Sequence, residues 1–277
     1  MTDVSSTVVL AEVTSRLRAA GCVFAEDEAE LLVAAAPSAQ ELEALVVRRV
    51  AGLPLEHLLG WAEFCGLRIG VNPGVFVPRR RTEFVVAEAI ALLQAVVPGH
   101  HPVVADMCCG SGAIGVAVAH ALNIDLHAVD IDPTAVVSAR RNVLPVGGHV
   151  YQGDLYGPLP KELRGRIDVL LANAPYVPTA AIATMPPEAR IYEPAVALDG
   201  GNDGLAVQRR VIAEARHWLA PGGHLLIETS EQQCPHTVQL VLDSGLLPRV
   251  AGSEDFDSTV VIGTKTSRTM DGGRDPV

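Results

Sequence analysis

The sequence predicts an α/β fold with a mostly parallel, doubly wound sheet, and three observations predict it. From Pro102 onward, short apolar runs alternate with segments of helical period. A glycine turn, Asp106-Met-Cys-Cys-Gly110-Ser-Gly112, joins the first of these runs to a helix. An acid, Asp130, closes the next run. Ligands of such sheets sit beyond the carboxyl ends of the strands, which is where the turn and the acid both fall.

The chain has 277 residues, enough for one α/β domain of about 200 residues and a smaller module. Residues 1–60 read as short amphipathic helices: Leu10, Val13, Leu17 and then Leu31, Leu32, Leu42, Leu45 and Val46 recur at helical spacing. Pro37-Ser38 breaks the pattern and supplies an N-cap. This acidic module has no cluster of reactive side chains, and packing or the docking of a substrate partner are both open to it. Residues 61–80 read as a β-hairpin linker: Phe64, Leu67, Ile69 and Val71, then Val75 and Val77, flank a turn at Asn72-Pro73-Gly74. Arg79-Arg80-Arg81 follows, either as a solvated run or as a basic wall beside a cleft.

The sheet domain occupies residues 81–264. Strands are expected at Val103–Asp106, Ile124–Asp130, Val150–Tyr151, Ile167–Ala172, His224–Thr229 and Phe256–Gly263. Helices are expected at Ala113–Leu122, Pro133–Asn142 and Leu205–Leu219. Residues 265–277 are polar and glycine-containing, which reads as a flexible tail.

Composition narrows the function. Val103–Leu122 is the longest apolar candidate, but Asp106, Gly110, Ser111 and Gly112 interrupt it, and a membrane span needs about 20 apolar residues. The N-terminus carries Asp3 and no basic stretch, so no secretory signal is expected and a cytoplasmic site is. Five cysteines in no CxxC pair argue for free thiols, and nine histidines without ligand spacing give no metal site. A net charge of −11 with lysine only at 161 and 265 disfavours non-specific nucleic-acid binding and suits a basic protein partner. The sequence sets no oligomeric state.

The glycine turn and Asp130 indicate a nucleoside-containing ligand, with the carboxylate accepting both ribose hydroxyls. Gly110, Gly112 and Gly115 also spell GxGxxG, so a nicotinamide enzyme has to be weighed. An acid at the strand end, Asp106, would repel a pyrophosphate and suits a zwitterionic ligand, favouring S-adenosylmethionine (SAM). Cys108, Ser111, Gly112, Leu155 and Asn173 join this cofactor set, with Asp154 placed to accept an adenine amino group or to cap a turn.

The chemistry is expected at Asn173-Ala174-Pro175-Tyr176, beyond the apolar strand Ile167–Ala172. An amide nitrogen is a poor nucleophile because resonance delocalises its lone pair. The Asn173 oxygen and the Ala174 carbonyl can take its two N–H groups and favour a pyramidal nitrogen, while Tyr176 stacks on the flat target. Positioning then supplies most of the rate.

Here the sequence resembles the HemK/PrmC family, protein-(glutamine-N5) methyltransferases that modify the GGQ glutamine of class I release factors. The resemblance runs from about Ala51 onward. It rests on the junction Leu53–Gly60 with Glu63-Phe64, on Val77–Glu83 (like IPRPxTE), on Asp106–Gly112 (like DxGxGxG) and on Ala128–Asp130. Asn173–Tyr176 is similar to NPPY, and Tyr192–Pro194 with Ala197–Leu205 is similar to EPxxALxGGxDGL. It implies a class I SAM-dependent methyltransferase, Rossmann-like, acting on a release-factor GGQ loop. Ala174 stands for the first proline of NPPY, which removes about 0.4–1 kcal/mol of stiffness but keeps the carbonyl. Cys108 stands for the first glycine of the SAM loop, and the N-terminal module is short for the family. Two other functions stay open: an adenine-N6 or cytosine-N4 methyltransferase, and a SAM-binding module that transfers nothing.

Overall fold

Strands buried on both faces need a nearly unbroken apolar run, and parallel strands need helical crossovers to cover them. The computed structural model describes residues 4–95 and 99–266 and shows both features. Five strands, β3 (Val103–Met107), β4 (Asp125–Asp130), β5 (His149–Gln152), β6 (Ile167–Ala172) and β7 (Leu219–Thr229), run parallel. β8 (Leu247–Ser253) and β9 (Ser258–Thr264) close one edge antiparallel, giving the order β5-β4-β3-β6-β7-β9-β8. The chain reaches one edge at β5 and returns beside β3 as β6, so the order reverses between β3 and β6. A crevice opens at such a reversal.

Side-chain alternation along the strands builds two apolar layers. Val104, Leu126, Val169, Leu171 and Leu226 face α5 (Glu83–Gln94), α6 (Ala113–Ala121) and α7 (Pro133–Val143). Val103, Ala105, Leu170, Leu225 and Ile227 face α10 (Ala206–Trp218) and α11 (Cys234–Asp243). Gly115 is required by this packing, because a Cβ there would stand 2.7 Å from Leu126 Cδ1. Its role is the approach of α6 to β4.

The N-terminal helices α1 (Val4–Ala19), α2 (Ala25–Ala35), α3 (Ala39–Val50) and α4 (Leu55–Leu59) enclose a separate core of Val13, Leu17, Ala29, Leu32 and Val46. Ser38 caps α3 by accepting from the Glu41 N–H. Arg49 forms a buried bidentate pair with Glu28, and its guanidinium also donates to Leu53 O. The same Arg49 lies 3.4 Å from Glu188 on α8 (Pro187–Tyr192), while His57 Nε2 meets Val75 O at 2.8 Å. These contacts join the helical module to the sheet domain.

The hairpin differs from the sequence expectation. It pairs β1 (Trp61–Phe64) with β2 (Leu67–Gly70) and turns at Cys65-Gly66, not at Asn72-Pro73-Gly74. Both turn residues have positive φ, 50° and 72°, as a two-residue hairpin turn that follows the strand twist demands. After Gly70 the backbone turns to α7: Gly70 N donates to Asn142 Oδ1 and Asn72 N to Ser138 Oγ. Val71, Val75 and Val77 are buried against Ala62 and Ala135 without joining a ladder. The alternation was real, but it serves packing against a helix.

The sheet-domain elements α5, α8, α9 (Ala195–Leu198), α11 and β8 have no counterpart among the sequence expectations. Among the described residues, no helix is long and apolar enough to cross a membrane. The tail expected over 265–277 lies outside the described residues from 267 onward, as do residues 1–3.

Candidate active site

The crevice between β3 and β6 is a cavity of about 480 Å³. Of the residues expected at the site, it gathers Cys108, Gly110, Ser111, Asp130, Asp154, Leu155, Asn173, Ala174, Pro175 and Tyr176. Asp106 and Gly112 do not line it.

The loop after β3 is shaped by Cys108 and Gly110, at φ 54° and 56°, and by Gly112 at 79°. A non-glycine residue rarely adopts such φ, so Cys108 sits there at a cost that its neighbours offset. Gly110 N donates to Asp130 Oδ2 at 2.7 Å, and Asp132 N donates to Oδ1 at 2.9 Å. Burial pushes the Asp130 carboxyl up and these two N–H groups pull it back. Each carboxylate oxygen has two lone pairs, so Asp130 keeps acceptor capacity for a diol.

Asp106 needs correcting. The sequence places it against a cationic ligand, but it is wholly buried beneath the loop. Its Oδ2 accepts from Gly115 N at 2.9 Å and its Oδ1 has no partner. Burial pushes this carboxyl up to about 7, opposed by the Gly115 N–H. It therefore shapes the loop from below instead of touching a ligand. Gly112 caps α6, and a Cβ there would stand 2.7 Å from Val143 Cγ2. Its glycine is required by packing. Asp154 borders the cavity, but Arg210 Nη2 donates to its Oδ2 at 2.6 Å across the exposed rim. Cys108 lies in the cavity wall with its thiol pushed up by burial, so it is a neutral surface and not a nucleophile.

The far wall is built from β6. Asn173 follows directly on the buried Ala172, and its Nδ2 donates to Thr82 Oγ1 at 3.2 Å. Among the described residues its Oδ1 accepts no hydrogen bond, so the amide's acceptor end is available. Ala174 borders the cavity at 0% exposure. Tyr176 is fixed through its backbone: Gln233 Nε2 donates to its carbonyl at 2.9 Å, and Gly204, at φ 75°, passes so close that no Cβ fits. Beyond Tyr176, Val177 N donates to Leu198 O and Gly200 N to Val177 O, so residues 198–201 form the wall's outer strip.

Two arginines of the run, Arg79 and Arg81, border the cavity, while Arg80 is exposed to solvent. Arg79 pairs with the buried Glu193 and lies over the Phe76 ring. Arg81 lies 3.5 Å from the buried Glu228 and 5.8 Å from the Tyr176 ring centre. Sequence reasoning missed Thr82, Glu228 and Gln233 as site residues. A charged residue closing the apolar run Leu225-Leu226-Ile227 was the signal for Glu228. Among the described residues, no group of three or more His, Cys, Asp or Glu side chains could hold a metal.

Comparison with known proteins shows the family of the chain. The family model of the methyltransferase small domain matches residues 67–201. A release factor glutamine methyltransferase of Gloeobacter violaceus is 40% identical over 73% of this chain and 71% of its own length. One of Mycolicibacterium smegmatis is 35% identical over 88% of this chain and 91% of its own. The chain belongs to the release factor glutamine methyltransferase family. Its fold is also similar to that of a methyltransferase from Pyrococcus furiosus, with a TM-score of 0.52 at 16% identity over 81% of this chain and 98% of the other.

As a member of this family the chain is a SAM-dependent methyltransferase, and the nicotinamide reading is set aside. The residues present fit SAM. Asp130 offers a half-buried carboxylate for two hydroxyls at one end of the cavity, and the Gly110 loop leaves its backbone open, since a Cβ at Gly110 would meet nothing within 4 Å. When bound, SAM supplies a methyl group on a positively charged sulfur.

Proposed function

We propose that the chain methylates the side-chain nitrogen of a glutamine in the GGQ loop of a class I release factor, and that it does so in the cytoplasm. The single observation that carries this reading is the orientation of Asn173. Its Nδ2 is engaged by Thr82, so the cavity end of its amide is an acceptor matched to a primary amide N–H. An acceptor there draws the amide proton and favours pyramidal nitrogen, which frees the lone pair for attack. The Ala174 carbonyl takes the second N–H. Tyr176 supplies a flat apolar face, and Ile131 and Leu155 would hold the adenine of bound SAM, with Asp154 to accept its amino group.

Bound SAM would supply the methyl group as the electrophile and keep the electron pair of the broken methyl–sulfur bond. Asn173 would hold the substrate nitrogen with its lone pair toward that methyl, and the proton of the methylated nitrogen would pass to water. No strong base is needed, because the nitrogen is acidic only after the methyl has arrived. Accordingly, the buried carboxylates near the site are not assigned as bases. A net charge of −11 suits a partner with a basic surface.

The test uses methyl-labelled SAM with a matched release factor, and separately with DNA and with RNA, followed by mapping of the label by mass spectrometry. Label on the GGQ glutamine, absent in Asn173→Ala, is the expected result. Label on an exocyclic base amine would replace this reading with a nucleic-acid methyltransferase. Bound SAM with label nowhere would leave a module that transfers nothing.

A further inference from the structure

The wall that carries Tyr176 is a loop, and a loop keeps an aromatic ring in place only where its backbone is tied down. Tyr176 O and Val177 N belong to one planar peptide unit. Val177 N donates to Leu198 O at 3.0 Å and Gln233 Nε2 donates to Tyr176 O at 2.9 Å, so the unit is pinned on both sides. The same Gln233 Nε2 donates to Asp203 O at 3.0 Å. One amide nitrogen, with two protons to give, thus joins the wall to the far end of residues 198–204.

The direction of this amide is set by its neighbours. Its Oε1 accepts from Ser230 Oγ at 2.9 Å, and Ser230 Oγ accepts in turn from Gln233 N at 3.2 Å. Rotated by half a turn, the amide would set Oε1 against two carbonyl oxygens with no proton between them. Gly204 comes so near both Tyr176 O and Gln233 Nε2 that the strip is drawn tightly onto the amide. The base of this clamp is rigid. Gln233 stands at the start of α11, where Cys234 N donates to Ser230 O. One turn on, the buried Thr237 donates to Oε1 of the buried Gln208, whose Nε2 donates to Glu228 O. Gln233 is therefore carried on a helix end tied to α10 and to the end of β7, behind the residues that line the cavity.

We propose that Gln233 is a positioning residue which, by clamping Tyr176 O and Asp203 O on one amide nitrogen, holds the Tyr176 ring in register with the substrate amide. The tip of the ring is steadied separately, by Tyr176 Oη donating to Glu228 Oε1 at 3.4 Å. Gln233 sets where the side chain starts and Glu228 where it ends. Without Gln233 the peptide unit between Tyr176 and Val177 is held on one side only, and the ring swings with it. The loss falls on the orientation of bound substrate and not on its capture.

This inference rests on the proposed place of Tyr176 beside the substrate amide, and its test separates the two. Gln233→Glu keeps the shape and gives up both N–H donors; Gln233→Met keeps the length and gives up the amide. Gln232→Met makes the same change at the exposed neighbour, as a control. Each full-length chain is measured for SAM affinity, for kcat and KM with the release factor, and by 19F NMR after labelling with 3-fluorotyrosine. The chain has four tyrosines, and Tyr176→Phe assigns the Tyr176 signal. In Gln233→Glu and Gln233→Met kcat should fall at least tenfold, with KM and SAM affinity within threefold and the Tyr176 signal shifted or broadened. Gln232→Met should match the wild type throughout. Wild-type kcat or an unchanged Tyr176 signal in Gln233→Glu would overturn the inference. So would a loss of SAM affinity as large as the loss of kcat, which marks a general loosening of the domain. If the wild type labels no glutamine, the function fails, while the fluorine signal still decides whether Gln233 holds Tyr176.

Discussion

Asp106 gives the chain an unusual dependence of stability on pH. Its carboxyl is buried beneath the SAM loop with one oxygen unpartnered, and burial lifts it to about 7. In the unfolded chain an aspartate titrates near about 3.9. An acid whose folded value lies above its unfolded one holds its proton preferentially in the folded state. Its contribution is therefore most favourable below the unfolded value and is lost as pH rises toward the folded value. Each unit is about 1.4 kcal/mol, so the interval from pH 5 to pH 8 removes up to about 3 kcal/mol. Asp106→Asn copies the protonated form: it keeps an oxygen for Gly115 N and cannot ionise. The assay is urea unfolding without SAM at half-unit steps from pH 5 to pH 8, read as the difference between variant and wild type. The variant should gain on the wild type progressively with pH. Parallel profiles would refute the reasoning, because they would mean that Asp106 is ionised in the folded protein at neutral pH.

Asp130→Ala removes the proposed diol acceptor, and the loss of two charge-assisted hydrogen bonds should weaken SAM binding by about 30-fold or more in calorimetry. Gly204→Ala forces a Cβ into Tyr176 O and Gln233 Nε2 at a φ of 75°, so kcat should drop at least tenfold while SAM affinity holds, read by paired kinetics and calorimetry. Arg49→Ala leaves Glu28 buried without its partner and should cost about 3–5 kcal/mol of stability, seen as a lower urea midpoint.

Much of the sheet was legible because buried parallel strands need continuous apolar runs, and Ile167–Ala172 falls at the bounds its composition suggests. The helix from Glu83 was not legible because Phe84, Val85, Val86, Ala87, Ala89, Ile90, Ala91, Leu92 and Leu93 crowd its sequence, so no polar stripe marks a period. The hairpin turn was misplaced because Asn-Pro-Gly is the stronger local signal. Cys65-Gly66 becomes the turn through pairing of Phe64 with Leu67, which local propensity does not encode. At the site, residues at or just past a strand end were legible as cavity lining, as for Asp130 and Asn173. Asp106 was legible as important but not as buried, since a strand-end acid can point up to a ligand or down under its own loop. Thr82 escaped notice because its meaning lies in its hydrogen bond with Asn173, across 91 residues of sequence, and Glu228 because its meaning lies in its contacts with Tyr176 and Arg81.

The central claim is that Asn173 offers its side-chain oxygen to a planar amide held against the cofactor's sulfur. The most direct measurement is a crystal structure of the chain with S-adenosylhomocysteine and a GGQ-containing release factor. The account predicts the glutamine NH2 within hydrogen-bond distance of Asn173 Oδ1, with Nδ2 still on Thr82 and the homocysteine sulfur facing the nitrogen. A glutamine lying elsewhere, or an Asn173 amide rotated so that Nδ2 meets the substrate, would contradict it.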